Sequence, residues 1–548
     1  MPRRRTVNGV PADLATIARD VGALLLIEAA LMTLSTGVAA AFREWHVALG
    51  FLLSAGLTAA VGYAARRAFA DAPDPLMKHG MIIAAAGWFT VACFGALPFL
   101  LSARLTPPAV QATYVPAGAD YAASSLRYFA NPLHALFESM SGWTGSGLTM
   151  AVHEPSLPRT VQWWRSLIQW VGGVGVIVLT VSILARPGSG SYALYRSEAR
   201  KERIHPSIVS TVRTIWKVFL LYTALSVVAM VLAIRFSPYG SQLSTFEVVW
   251  QGLNHAMTGL ATGGFSVTDN SIGTYNSPLV EGVLLPVMTL GAIAFPVHYG
   301  VLADRNPGEL LDDLQTRLLF GLFGVGVTAL AIQNLATLPA ADFGRRVAVP
   351  AWALFSPAQF DAVRDATFQF VSALTCTGFQ SSPIGGWSAG GKLLISGAMV
   401  LGGAAGSTVG GIKLIRGYTA FRGIRFQFAR VFLPRNAIVT TRIGDRQLGR
   451  EQMEREFSEA AIVSLLWLVL LALSSLVLVN TVGPGFGYAD ALFEVASAQG
   501  NVGLSTGITG PTMSPLGEAM FVLSMWVGRL EIIPVMVFVR ALLYGLEP

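Results

Sequence analysis

Four short stretches of the chain gather the same chemistry, small and hydroxylated residues closing on a glycine. They are Thr144-Gly145-Ser146-Gly147-Leu148-Thr149, Ala261-Thr262-Gly263-Gly264-Phe265, Cys376-Thr377-Gly378-Phe379 and Asn501-Val502-Gly503-Leu504-Ser505. Glycine enters left-handed backbone at little cost, and small neighbours let several turns crowd one axis. Carbonyl oxygens turned inward there would replace the water shell of a cation without a fixed charge, so the ion can also leave. The predicted binding groups are Gly145, Ser146 and Gly147; Ala261, Thr262 and Gly263; Cys376, Thr377 and Gly378; Asn501, Val502 and Gly503. Nine residues before the key glycines (147, 263, 378 and 503) stand Glu138, Asn254, Gln369 and Glu494; six before stand Ser141, Met257, Ser372 and Ser497. Polar groups at one helical position in apolar segments are costly in a membrane unless they face protein or water. The first set is read as supports that bond the backbone of the turns from behind, against the plainer reading of chance polar residues at loop edges.

Such turns need elements that deliver them to the middle of a membrane. Each follows a short apolar segment, at 132–143, 246–259, 362–374 and 489–499, too short to cross about 30 Å of hydrocarbon and therefore read as a re-entrant helix. Longer apolar stretches lie near 21–41, 47–68, 80–103, 160–185, 209–234, 278–302, 317–337, 390–411, 459–481 and 517–543. The key glycines recur at roughly 115 to 125 residues, room for two spans and a loop. The expected fold is an all-α polytopic membrane protein of about ten transmembrane helices: two leading helices (1–75), then span–re-entrant loop–span repeats at 76–190, 191–304, 305–430 and 431–548 around a central pore.

Composition agrees. Of 548 residues 53% are hydrophobic and only 13% charged, against about 25% charged in a soluble domain. Basic residues collect in alternate loops: Arg3, Arg4 and Arg5; Arg66 and Arg67; Arg186, Arg196, Arg200, Lys201 and Arg203; and the loop 412–455. The positive-inside rule then places the N-terminus in the cytoplasm and brings all four re-entrant segments in from outside. No basic stretch is interleaved with aromatics on a soluble domain, which argues against nucleic acid as a partner. No cleavable leader is expected after Met1, since the first apolar stretch reads as a span. Cys93, within a span, and Cys376, in the third turn, are not expected to pair.

With these residues in view, the chain resembles the Trk/Ktr family of bacterial potassium transporters, and within it the TrkH-type pore subunit, over nearly its whole length. The most specific segments are 132–139 (PLHALFES), 164–173 (WRSLIQWVGG), 191–198 (SYALYRSE), 402–413 (GGAAGSTVGGIK) and 528–531 (GRLE). The resemblance implies a K⁺-selective pore in the bacterial inner membrane, with K⁺ as transported ion and no organic cofactor on this chain. It also implies a homodimer resting on a TrkA-like cytoplasmic ring of nucleotide-binding regulatory subunits. The first turn reads Gly145-Ser146 where the family commonly has two threonines, and the last is more Ktr-like. In relatives, a serine in place of the first key glycine goes with Na⁺ transport; Gly147 is retained.

Two features suggest a gate. Gly402, Gly403, Gly406, Ser407, Thr408, Gly410 and Gly411 interrupt the eighth span, and unwound backbone at that depth must be buried or line water; close helix packing on small residues is the alternative. The resemblance implies an obstructing intramembrane loop. Arg529, in the last span, is read as a fixed positive barrier below the turns, or else as the partner of Glu531. Lys413 is read as a cytoplasmic end anchor in preference to a second charge on the loop, and Arg165, beside Trp164, as an interfacial brace. A Na⁺- or H⁺-coupled symporter on the same fold remains a competing function. An intramembrane enzyme is disfavoured, because His134, His153, His255 and His298 lack metal-type spacing and are expected to cap or pack. Four units of one sense argue against an inverted-repeat carrier.

Overall fold

A computed structural model describes residues 6–184, 208–337, 356–432, 440–444 and 446–546. The basic residues Arg3, Arg4, Arg5, Arg186, Arg196, Arg200, Lys201, Arg203 and Arg435, and the segment 191–198, lie outside them. The chain is an all-α polytopic membrane protein.

Two leading helices, α1 (Ala12–Ala41) and α2 (Trp45–Ala68), pack against each other and against α3 (Met77–Leu105). Each of four units then contributes a short helix inside the bundle. The first contains α3, α4 (Pro132–Thr144) and α5 (Arg159–Leu184). The second contains α6 (Ile208–Arg235), α7 (Thr245–Leu260) and the pair α8 (Pro278–Ala292) and α9 (Phe295–Leu302). The third contains α10 (Leu314–Ala336), α11 (Pro357–Leu374), α12 (Ala389–Val400) and the basic α13 (Leu414–Arg430). The fourth contains α14 (Arg450–Val479), α15 (Tyr488–Gly500), α16 (Pro515–Arg529) and α17 (Ile533–Tyr544). Among the described residues α1, α2, α3, α6, α10 and α14 are long and apolar enough to cross a membrane.

Three of the ten expected spans are not continuous helices. The stretch 278–302 bends by 108° between α8 and α9, and 517–543 bends by 114° between α16 and α17. Each break precedes a proline at the second position of the following helix, Pro296 and Pro534; a proline offers no N–H to the carbonyl four residues back, Ala292 or Leu530, and its ring clashes with that carbonyl, so the preceding helix cannot run on through it. The third stretch, 390–411, is helical only to Val400, after which residues 401–413 form an open loop. The loop is closed at its neck by Gly402 N–H to Ile412 O (2.8 Å) and Ile412 N–H to Val400 O (3.0 Å). Two of its N–H groups use the carbonyls that the α8 break sets free, Ala404 N–H donating to Ala292 O (3.1 Å) and Thr408 N–H to Gly291 O (3.2 Å), while Ala405 N–H donates to Gln315 Oε1 (2.8 Å). A proline kink therefore supplies the acceptors that a non-helical segment needs inside a membrane.

The short helices start at strong caps. Asn131 caps α4 with Pro132 at its first position, Ser244 caps α7, Ser356 forms a capping box with Gln359 at α11, and Asp490 accepts from Gly487 N–H at α15. The third begins at Pro357, five residues before the apolar pattern, because its first turn is polar. Polar side-chain pairs tie each unit to the next near these starts: the ion pairs Arg159–Glu247, Arg364–Glu281 (2.7 Å) and Lys392–Asp490 (2.6 Å), and the hydrogen bond between His134 and Glu518 (2.8 Å).

Candidate functional site

All four short helices end the same way, in two left-handed residues separated by one. The pairs are Gly145 and Gly147 (φ +69°, +75°), Thr262 and Gly264 (+51°, +72°), Cys376 and Gly378 (+48°, +80°), and Asn501 and Gly503 (+55°, +108°). The residue between them donates its N–H five residues back in each case: Ser146 to Ser141 O, Gly263 to Thr258 O, Thr377 to Ser372 O and Val502 to Ser497 O, at 2.8–2.9 Å. The four turns meet and close a ring. The carbonyl of each middle residue abuts the left-handed glycine of the neighbouring turn, always in the same rotational sense. A Cβ on Gly147 would stand 2.3 Å from Gly263 O; one on Gly264, 2.0 Å from Thr377 O; one on Gly378, 1.8 Å from Val502 O; one on Gly503, 2.6 Å from Ser146 O. At each of these four points a side chain fits only if backbone shifts.

This geometry moves the second unit by one residue. The counterpart of Gly147 is Gly264, not Gly263, and Ala261 occupies the place of Thr144, before the ring. With two glycines in succession, composition cannot say which one takes the left-handed conformation. The shift explains Met257, which broke an otherwise polar column: the matching residue is Thr258, whose Oγ1 donates to Phe265 O (2.9 Å), as Ser372 Oγ does to Phe379 O (2.8 Å). It also replaces Asn254, whose amide only bonds back to Trp250 O (2.8 Å), by His255.

In the corrected register all four supports face the strand that leaves the turn. Glu138 accepts from Thr149 Oγ1 (2.9 Å) and Met150 N–H (2.9 Å). Glu494 accepts from Ser505 Oγ (2.6 Å), Thr506 N–H (2.6 Å) and Thr509 Oγ1 (2.5 Å). Gln369, with its amide oxygen toward them, accepts from Ser381 N–H (2.7 Å) and Ser382 N–H (3.1 Å). His255 Nε2 lies 3.0 Å from Ser266 Oγ and 3.5 Å from Val267 N, with Tyr275 OH 3.1 Å from Nδ1. The remaining histidines pair or pack, His134 with Glu518, His153 with Asp269 (3.4 Å) and His298 against Leu290 O (2.8 Å).

Two residues of α5 do more than the sequence suggested. Arg165 is not an interfacial brace; it is fully buried, because α5 runs directly behind the first two turns. Its guanidinium bonds Glu138 (2.6 Å), Ser266 O (2.7 Å) and Thr149 (3.1 Å), over the Phe265 ring at 4.1 Å. Gln169 donates to Gly263 O (2.6 Å) and accepts from Phe265 N–H (3.0 Å). The signal was present in 164–173, where Arg165 and Gln169 stand one helical turn apart on one face.

Below the ring lies the 401–413 loop. Thr408 meets Thr262, hydroxyl to hydroxyl, at 2.8 Å, and a Cβ on Gly410 would stand 2.5 Å from Gly500 O under the fourth turn. Gly402, Gly403, Gly406, Ser407 and Gly411 belong to the same loop, with Gly406 and Gly411 left-handed (φ +75°, +69°). Arg529 is 3% exposed and donates to Thr408 O (2.6 Å) and Gly172 O (2.9 Å); its guanidinium also lies 3.7 Å from where a Gly145 Cβ would be. It does not pair with Glu531. The chain reverses at Glu531 (φ +60°), whose carboxylate meets Arg416 and, at 3.8 Å, Lys413. Lys413 is not a membrane-end anchor but a buried residue at the loop neck, bonded to Val409 O, since the helix it was expected to end stops at Val400.

Fold and site together define a polytopic helical membrane protein whose four short helices end at one shared ring. Residues 79–544 match the model of the TrkH family, described as cation transport protein, and the chain belongs to that family. It is 29% identical to an uncharacterized cation transporter of Methanocaldococcus jannaschii, over 97% of this chain and 96% of that protein. It is 26% identical to the Trk system potassium uptake protein TrkH of Salmonella typhimurium, over 95% and 97%. The fold is that of the crystal structure of the potassium transporter TrkH from Vibrio parahaemolyticus, with a TM-score of 0.75, 23% identity and coverage of 96% and 98%.

Proposed function

We propose that this chain is a gated K⁺ uptake pore whose selectivity filter is the four-turn ring. The observation that carries the reading is the same-sense packing of Ser146, Gly263, Thr377 and Val502 carbonyls against Gly503, Gly147, Gly264 and Gly378. Backbone dipoles gathered in this way coordinate a monovalent ion weakly enough to release it, and the C-terminal ends of four short helices add negative potential at the same point. The binding set is 145–147, 262–264, 376–378 and 501–503. Inward flux is driven by membrane potential, about 2.3 kcal/mol per charge per 100 mV.

The 401–413 loop is the obstruction and Arg529 its fixed charge, joining Thr408 on the loop to the base of the first turn. The N-terminus faces the cytoplasm of a bacterial inner membrane. The pore works as a homodimer, and a nucleotide-binding ring acts on the loop through the basic α13 and the neighbouring cytoplasmic surface.

Uptake of ⁸⁶Rb⁺ by the purified protein in liposomes, with Na⁺ competition, tests this. Rb⁺ should enter down its gradient, and Gly147→Ser should lower the preference for Rb⁺ over Na⁺. Arg529→Ala should raise basal flux. Uphill Rb⁺ movement driven by a Na⁺ or H⁺ gradient would replace the pore with a coupled symporter, and unchanged selectivity in Gly147→Ser would remove the ring as filter.

A further inference from the structure

Immediately outside the ring is a cavity of about 440 Å³, floored by Gly147, Gly264, Gly378 and Gly503, with Glu154 and Asp269 in its wall. Two observations single these carboxylates out. Glu154 is only 7% exposed, yet its Oε2 has no hydrogen-bond partner among the described residues. A buried acceptor left unmade is costly, and the open space beside it is the cavity that leads to the ring. The positive charge on the same wall is already spent, since Arg165 is held by Glu138 at 2.6 Å. Asp269 is only partly balanced, by His153 at 3.4 Å, whose ring stacks on Tyr121 at 3.7 Å.

We propose that Glu154 and Asp269 form a cation-collecting site in the outer vestibule, where a monovalent cation with part of its water shell waits one step before the ring. The proposal rests on the pore reading above and adds a binding site to it. Low-dielectric walls around a carboxylate focus its field on the mouth and raise the local cation concentration.

The site carries its own pH dependence. Burial pushes the Glu154 carboxyl up to about 8; Arg165 opposes this, while Asp269 and Glu138 add to it. Burial also raises Asp269, with His153 pulling it down and Asp120 pushing it up. Tyr121, raised to about 12, stays neutral throughout. At neutral pH Glu154 is therefore mostly protonated and contributes no charge. As external pH rises through about 8 it ionises, and the vestibule gains its second carboxylate.

The test is ⁸⁶Rb⁺ uptake by the full-length protein in liposomes, with internal pH clamped and external pH taken from about 6.5 to about 9. The half-saturating Rb⁺ concentration of the wild type should fall about five- to tenfold, the effect of one carboxylate acting through a hydration shell. Glu154→Gln should abolish that shift and stay at the weak-binding value, and Asp269→Asn should weaken half-saturation across the whole range. A wild type without the shift, or a Glu154→Gln protein that keeps it, overturns the proposal. Equilibrium dialysis of ²⁰⁴Tl⁺ against the detergent-solubilised protein reads the site without flux. Binding above pH about 8 that is lost in Glu154→Gln supports the site even if the pore reading fails, and equal binding in both proteins refutes it even if the pore conducts.

Discussion

The first and fourth units support their turns with carboxylates, Glu138 and Glu494, whereas the second and third use His255 and Gln369. All four occupy one position, and all four face the N–H groups or hydroxyls of the strand leaving the turn. What the position requires is an acceptor, not a charge. The two units that do place a charge there neutralise it differently: Glu138 has the Arg165 guanidinium, while Glu494 has only hydroxyl and amide donors, from Ser505, Thr506 and Thr509. A buried ion pair and a buried carboxylate satisfied by dipoles should fail in different ways when cut.

The largest effect is expected at the ion pair. Arg165→Met leaves Glu138 buried and uncompensated, and breaking such a pair costs about 3–5 kcal/mol. It also removes the bond to Ser266 O that ties the second unit to the first. Arg165→Met should drop the detergent melting temperature sharply and abolish ⁸⁶Rb⁺ uptake, and the double variant with Glu138→Gln should recover much of the stability. If the double variant is no better than the single one, the guanidinium is needed for Ser266 rather than for the charge.

Next comes the register of the second unit. Gly264→Ala puts a side chain at φ +72°, 2.0 Å from Thr377 O, combining left-handed strain of about 1–2 kcal/mol with overlap of about 1–3 kcal/mol against backbone that cannot yield. Gly263→Ala meets the Gln169 carboxamide, at 2.5 Å, whose displacement gives up its bonds to Gly263 O and Phe265 N–H but leaves the ring backbone in place. Rb⁺ uptake should fall about a hundredfold in the first, from roughly 3 kcal/mol, and far less in the second. The opposite order would restore Gly263 as the counterpart of Gly147.

Most of this comparison was legible in the sequence, because a membrane allows few solutions. Apolar length separates spans from re-entrant helices, and a polar residue inside a short apolar segment has to face a partner. Three units aligned on their glycines without error. Thr262-Gly263-Gly264 did not, since either glycine satisfies the composition and only the neighbouring carbonyls decide between them. The breaks at Ile293 and Ile532 were hidden by apolar sequence that runs straight through them, their only local marks being Pro296 and Pro534. Arg165 was misplaced because hydropathy reports depth but not the direction a side chain faces, and its partners lie 27 and 101 residues away. Arg529 and Glu531, two positions apart, look like natural partners in the chain; with the backbone turned at Glu531, its carboxylate meets Arg416 while Arg529 bonds Thr408 O.

The smallest effects should come from the supports that carry no ion pair, and they separate acceptor from charge most cleanly. His255→Gln keeps an acceptor toward Ser266 and Val267 but gives up the contact with Tyr275, which still has Gln251 at 2.8 Å; a loss of about 1 kcal/mol, one net hydrogen bond, is expected. Glu494→Gln keeps the shape of the fourth support but replaces one acceptor oxygen by a donor facing Thr509 or Thr506, each already a donor to that carboxylate. It should cost somewhat more than His255→Gln, about 1–3 kcal/mol, and still far less than Arg165→Met. Melting temperatures of the variants, compared with Rb⁺/Na⁺ selectivity in the same preparations, check the ranking. If Glu494→Gln proves as severe as Arg165→Met, the fourth support works through its charge, and the equivalence of carboxylate and neutral supports argued from their shared position fails.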